Sequence, residues 1–246
     1  MRFLLASLAV LLFFGCSSGG DDPNTLVINN STEVQTLDPG IEKGQPEYHV
    51  TLALYEGLTV YDPKDLSVKP GVAERWTVSD DGTVYTFHLR DAKWSNGDPV
   101  TARDFEWSWK RVIDPALGSE YVEQISTYLK NAKLYYNGAA ADGSLKGWKD
   151  VKPEQRPKDA QSLAGLVQKR HAEAIQSLLK TEKDEAVAGP LRKALEEASK
   201  RPDISLDQVG VKAKDDKTLV VTLESPTAYF LDLAAFFTYF PVHRKT

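Results

Sequence analysis

Residues 76–89 constrain this chain more than any other stretch. Trp76-Thr77-Val78 and Val84-Tyr85-Thr86-Phe87-His88-Leu89 flank Asp80-Asp81-Gly82. An Asp-Gly pair between alternating apolar residues marks a β-hairpin, because the tight turn needs a residue that tolerates positive φ. Tyr85, Phe87 and Leu89 alternate with Val84, Thr86 and His88, which predicts one buried and one solvated face. Asp80 and Asp81 therefore read as turn residues, since the spacing of a calcium-binding EF-hand loop is absent. A second hairpin pattern lies far downstream, where Val209-Gly210-Val211-Lys212-Ala213 and Thr218-Leu219-Val220-Val221-Thr222-Leu223 flank Lys214-Asp215-Asp216-Lys217.

The sequence between the hairpins is mostly helical in pattern. Trp94-Ser95-Asn96-Gly97-Asp98-Pro99 forms a turn signal. Thr101 and Asp104 then have capping-box spacing, and Phe105, Trp109 and Val112 or Ile113 recur at helical spacing. These predict a short amphipathic helix ending before Asp114-Pro115. Residues 137–203 are rich in Ala, Lys, Glu and Gln and hold no strand candidate. Leu163, Val167, Ala174 or Ile175, and Leu178 form one apolar stripe. Leu191, Leu195 and Ala198 form another after Gly189-Pro190, a pair that reads as a helix break and restart. A helical insertion with one apolar face on the body follows. His171 lies near the first stripe with no partner ligand at fixed spacing, so it reads as a partly buried or surface residue, not a metal ligand.

The flanking segments are less regular. Leu26-Val27-Ile28 is a short strand candidate, followed by a polar loop through Pro46 and an apolar segment over residues 50–58. Residues 229–240 are strongly apolar, with Phe230, Leu233, Phe237 and Phe240 near helical spacing. They are too short, and too closely followed by Pro241, to span a bilayer. The fold class that emerges is α+β / α/β.

The N-terminus reads as an export signal. Arg2 precedes an apolar stretch over residues 3–14, shorter than the roughly 20 residues of a membrane span. Gly15-Cys16 and the polar Ser17-Ser18-Gly19-Gly20-Asp21-Asp22-Pro23 follow. The pattern resembles a bacterial lipoprotein signal, with residues 1–15 as the leader, Cys16 as the lipid-attachment site and 16–23 as a tether. Phe13 stands where such signals usually carry Leu.

Composition narrows the function classes. The chain has 246 residues, and 30 Lys and Arg against 35 Asp and Glu leave a net charge of −5. That balance argues against a broad nucleic-acid surface. One Cys excludes an intrachain disulfide. His49, His88, His171 and His243 are scattered, and no HExxH, GxSxG, P-loop or GxGxxG is present. Binding is favoured over turnover, although a carboxylate pair hidden in the fold stays open.

Ordered blocks then carry a resemblance. Val34-Gln35-Thr36-Leu37-Asp38-Pro39, Tyr55-Glu56-Gly57-Leu58 and Pro70-Gly71-Val72-Ala73-Glu74-Arg75-Trp76 come first. Tyr85-Thr86-Phe87-His88-Leu89-Arg90-Asp91-Ala92-Lys93-Trp94-Ser95-Asn96-Gly97, Val100-Thr101-Ala102-Arg103-Asp104-Phe105 and Ser108-Trp109-Lys110-Arg111 follow. Together they resemble the oligopeptide-binding proteins of ABC importers, in the extracytoplasmic solute-binding protein family 5 that also includes dipeptide and nickel receptors. The likeness spans residues 24–135 and resumes over 207–246.

The resemblance implies a type II periplasmic-binding-protein fold whose two lobes close on a ligand, of which this sequence holds the N-terminal part only. Residues 24–55 would belong to the first lobe. Residues 56–243 would form an additional α+β domain that includes the helical insertion 137–203, and the second lobe would be absent. The family's ligand-contact loop falls at Lys43, Gly44 and Gln45, with Glu42 taking the place of Lys43 if a one-residue gap is allowed. Tyr121 falls on another family position near the peptide. The implied protein is no enzyme and needs no cofactor or metal. Its partners would be a peptide ligand, the ABC transporter permease and the membrane through its lipid anchor, with no nucleic acid, as a monomer in the periplasm or at the cell surface. A receptor for another solute (dipeptide, nickel complex or sugar), a truncated chain that binds nothing, an exported hydrolase and an interaction lipoprotein are the alternatives.

Overall fold

A computed structural model describes Thr25 and residues 27–245 of the chain, which divide into two compact units at Glu33 and Val34. In the first unit, the described residues form no helix or strand. Ser31 has φ 65°, and its N–H donates to Asn29 Oδ1 at 2.9 Å. The strand expected at Leu26-Val27-Ile28 is therefore not formed at Val27 and Ile28. A strand is stable only within a hydrogen-bonded ladder, and these two belong to none and stand 81% and 70% exposed.

The second unit begins with helix α1, Gln45–Leu54. It starts inside the stretch expected to be loop, because Pro46 sits in the first turn, where its missing N–H has no helical partner to lose. A two-stranded ribbon follows, β1 at Thr59–Tyr61 and β2 at Val68–Pro70. The first expected hairpin is β3, Ala73–Val78, and β4, Val84–Leu89, with Gly82 at φ 70° in its turn. Tyr85, Phe87 and Leu89 are buried, as the alternation predicts. Next comes helix α2, Ala102–Val112, capped by the Thr101–Asp104 box. Its Phe105, Trp109 and Val112 are buried. The Trp109 indole N–H donates to the Tyr239 carbonyl at 2.8 Å, so a large aromatic is buried without stranding its polar atom.

Helices α3, Glu123–Ser126, α4, Ala132–Lys146, α5, Arg156–Leu166, α6, Ala172–Thr181, and α7, Glu185–Lys200, follow in order. From α4 onward they build a core of their own around Trp148, Leu163, Val167, Ile175, Val187 and Leu191. The break expected at Gly189-Pro190 does not occur, and α7 runs through Pro190. Asp184 caps the helix by accepting the Ala186 N–H at 2.9 Å. Val187, Leu191, Ala194 and Ala198 are all buried on one face, and that packing outweighs the one hydrogen bond proline removes. His171 is also deeper than expected, at 2% exposed. Its Nδ1 accepts the Gln168 N–H at 2.8 Å, so neutral His171 carries its proton on Nε2 and donates it to Asp142 Oδ1 at 2.9 Å.

The second expected hairpin is β5, Val211–Ala213, and β6, Thr218–Thr222. It joins the first, giving an antiparallel sheet in the order β3-β4-β6-β5, with Phe87 opposite Leu219 and Tyr85 opposite Val221. The sheet's buried face packs on α2 in the main core. The apolar run over 229–240 is helical only at α8, Phe230–Leu233, and in one 3₁₀ turn, Phe237–Tyr239. No helix among the described residues is long and apolar enough to cross a membrane.

Candidate ligand-binding site

The loop ahead of α1 is built on Asp38. The Ile41 and Glu42 N–H groups both donate to the Asp38 carbonyl at 3.0 Å, and Gly40 N–H donates to Oδ1 at 3.0 Å. Arg111 on α2 holds the same carboxylate with both Nη groups, one of them at 3.0 Å from Oδ1. Burial alone would raise the Asp38 pKa, but the bonds from Arg111 and Gly40 outweigh it and hold the carboxyl below 3.8.

Glu42 points inward and is 1% exposed. The Thr51 hydroxyl, on α1, donates to its Oε2, while Oε1 is buried with no partner among the described residues. Burial pushes the Glu42 carboxyl up to about 7, with the charges of Glu47 and Asp38 adding to the effect and Thr51 opposing it. Lys43 points the other way. Its exposed ammonium donates to Glu120 Oε1 at 2.8 Å, a bond that raises the lysine pKa. Gly44 is extended, and its carbonyl accepts the Tyr48 N–H at 3.1 Å. Gln45 is the exposed first residue of α1.

Tyr121 follows Glu120 in sequence, so the Lys43–Glu120 pair brings the loop beside it. The Tyr121 ring is half-buried and meets Phe236 and Phe237 edge-on, at centroid distances of 5.7 and 5.2 Å. Tyr48 of α1 lies 5.6 Å from the same Phe237 ring. Lys43 and Tyr121 thus share one neighbourhood with an aromatic shelf of Tyr48, Phe236 and Phe237. Glu42 is turned away from solvent, and Gly44 and Gln45 form the start of α1. Sequence reasoning did not single out Glu120, Tyr48 or Arg111 for this site, and no local pattern marks them. Cys16 lies outside the described residues.

The arrangement suits recognition of polar, partly aromatic matter at an exposed charged loop. Among the described residues, no group of three His, Cys, Asp or Glu could hold a metal ion. A cavity of about 710 Å³ lined by Lys130, Lys212, Lys214 and Thr222 shares no residue with this loop. A smaller one, about 420 Å³, borders the end of α1 at Leu54 and Tyr55.

A family model described as bacterial extracellular solute-binding proteins, family 5 Middle, matches residues 67–246. The chain is 32% identical to the oligopeptide-binding protein OppA of Bacillus subtilis (strain 168), over 96% of this chain and 33% of the relative. It is 36% identical to the periplasmic oligopeptide-binding protein OppA of Escherichia coli (strain K12), over 86% of this chain and 27% of the relative. The solved structure of Listeria monocytogenes OppA bound to peptide superposes with a TM-score of 0.56 at 30% identity, over 87% of this chain and 29% of that one. The chain therefore spans roughly a third of the length of these relatives. The mixed helix and sheet architecture is that of part of an oligopeptide-binding-protein fold, as the sequence blocks implied. By the match over residues 67–246 and by identity along most of its length, this chain belongs to the bacterial extracellular solute-binding proteins of family 5.

Proposed function

We propose that this chain works within the substrate-binding lipoprotein of an ABC importer, which captures oligopeptides outside the cytoplasm and delivers them to the membrane permease. The observation that carries this reading is the similarity to oligopeptide-binding relatives over 86–96% of the chain. The members of the family are solute-binding proteins, which supports capture without turnover.

In this reading residues 24–55 contribute to one ligand-binding lobe and residues 56–243 form the additional domain. Lys43, Gly44 and Gln45 of the loop, with Glu42 behind them and Tyr121 beside them, contact the peptide or its surrounding water. A peptide backbone exchanges water hydrogen bonds for protein ones at small net gain per bond. Bridging waters let one site accept different side chains. Cys16 is the lipid-attachment site that holds the body, as a monomer, at the membrane surface, and the tether over 16–23 lets it stand off.

The test is to isolate the intact gene product that carries this chain, release what it has bound and identify it by mass spectrometry. A mixed set of oligopeptides is expected. Recovery of a dipeptide, a nickel complex or a sugar in stoichiometric amount, with no oligopeptide, overturns the assignment. Added peptide at 100 times its Kd should stabilise the protein by about 2.7 kcal/mol. Cys16→Ser should move the protein from the membrane to the soluble fraction, and unchanged fractionation sinks the anchor.

A further inference from the structure

We propose that Glu42 is a proton-operated latch on the loop that carries Lys43. With its proton, the carboxyl stays inside against Thr51 and fixes the loop. Without it, the carboxylate leaves for water and the loop opens.

The geometry makes a charge at Glu42 hard to keep. The side chain is 1% exposed, and only Oε2 has a donor, the Thr51 hydroxyl. Oε1 is buried with no partner among the described residues. An ionised carboxylate offers lone pairs on both oxygens and is costly to bury unless they are met. The charged groups facing it make matters worse. Asp38 lies on the loop and Glu47 on α1, the latter 5% exposed, and both are acidic. The nearby cations are engaged elsewhere, Arg111 on Asp38 and Lys43 on Glu120. Tyr55, at the end of α1, also feels the charges of Asp38 and Glu42.

Release would not stop at one side chain. The Ile41 and Glu42 amides are tied to the Asp38 carbonyl, and Lys43 follows directly, so moving Glu42 outward unseats the turn that aims Lys43. Glu42 holds its proton up to about pH 7 in the closed loop, against 4.5 for a free glutamate. Opening then releases a proton between those values. Its equilibrium constant should rise tenfold per pH unit from 4.5 to about 7 and stay level above. The latch rests on the geometry of this chain alone, and its effect on capture rests on the function proposed above.

Hydrogen exchange on the intact gene product that carries this chain, read at the Ile41 and Glu42 amides, reports the latch directly. After correction for intrinsic exchange, protection of the Ile41 and Glu42 amides should fall about tenfold per pH unit and then level off near neutrality. In Glu42→Gln this slope should vanish. Thr51→Val, which removes the hydrogen bond favouring the charged form, should move the level-off point to higher pH, whereas simple loosening of the loop would flatten the profile. A slope that persists in Glu42→Gln, or its absence from the native chain, overturns the latch. Peptide affinity of the intact gene product should weaken over the same window. A flat affinity beside an intact exchange slope supports the latch and sinks only the loop's part in capture.

Discussion

The Arg111 guanidinium grips the Asp38 carboxylate across 73 residues of sequence, with Nη1 donating to Oδ1 at 3.0 Å and Nη2 donating to Oδ2. This fork fastens the loop before α1 to helix α2, and both side chains are only about a quarter exposed. A two-pronged charge-assisted bond in such a setting exceeds a surface ion pair. Arg111→Met should therefore cost about 2 kcal/mol. The pH dependence is specific. Asp38 is held below its free value, so its contribution is present above pH 3.8 and is lost as pH falls through the folded pKa. Urea midpoints measured down the acid limb should drop less steeply in Arg111→Met than in the native chain. Parallel limbs would show that the pair contributes nothing.

Glu42 carries the opposite sign. Its carboxyl is raised to about 7, so the folded state binds the extra proton and stability falls as pH climbs from 4.5 to that value. The full difference corresponds to roughly 3 kcal/mol as an upper limit. Glu42→Gln should match the native chain at acid pH and exceed it in stability at alkaline pH. Thermal melts at the two ends of that range check this, and a variant that is weaker at both ends refutes it.

Gly210 marks a close backbone crossing. Its N–H donates to the Lys130 carbonyl, Lys130 N–H donates to Thr222 O, and Thr222 N–H donates back to Gly210 O, at 2.9, 2.9 and 2.7 Å. A Cβ at this position would sit 2.1 Å from the Thr222 carbonyl and 2.9 Å from Lys130 Cβ. Neither neighbour is a flexible chain end, so Gly210→Ala must part the strand from the segment before α4. We expect a loss of about 3 kcal/mol. Gly143, inside α4, is the control. A Cβ there meets nothing within 4 Å among the described residues, and Gly143→Ala should stabilise by about 0.5–1 kcal/mol through helix propensity. Equal effects of the two substitutions would remove the steric explanation.

What could be read from the sequence follows from the range of each interaction. The Gly82 turn, the Tyr85–Phe87–Leu89 face and the Thr101–Asp104 box depend on neighbours within a few residues, and all are found as expected. The union of the hairpins through β4 and β6 joins residues far apart in the chain, and no local pattern announces it. Pro190 misleads because a local rule is overridden by the buried face of α7. Val27 and Ile28 have strand character without a ladder. At the candidate site, the loop and Tyr121 came from family resemblance. Glu120, 77 residues from Lys43, has no signal of its own and emerges only when the chain is folded.

That pair allows a charge-swap experiment. Lys43 and Glu120 are exposed, 54% and 61% at the side chain, so their 2.8 Å contact should add well under 1 kcal/mol to stability. Lys43→Glu sets a second carboxylate against Glu120, next in sequence to Tyr121, whose ring packs on Phe236 and Phe237 of the shelf. Its melting point should barely move, because both groups can turn to water. Under the proposed function, ligand choice should move instead, since the sign of charge at position 43 is reversed and peptides with a basic residue there gain while acidic ones lose. Glu120→Lys alone should leave two ammonium groups and shift preference the other way. The double swap, Lys43→Glu with Glu120→Lys, restores the pair with its polarity exchanged. If the pair acts only as a strut, the double swap recovers native peptide preference in the intact gene product. If Lys43 meets the ligand itself, the double swap keeps the reversed preference of Lys43→Glu. Competition binding with matched acidic and basic peptides separates the two. Preference unchanged in all three variants would remove Lys43 from the site.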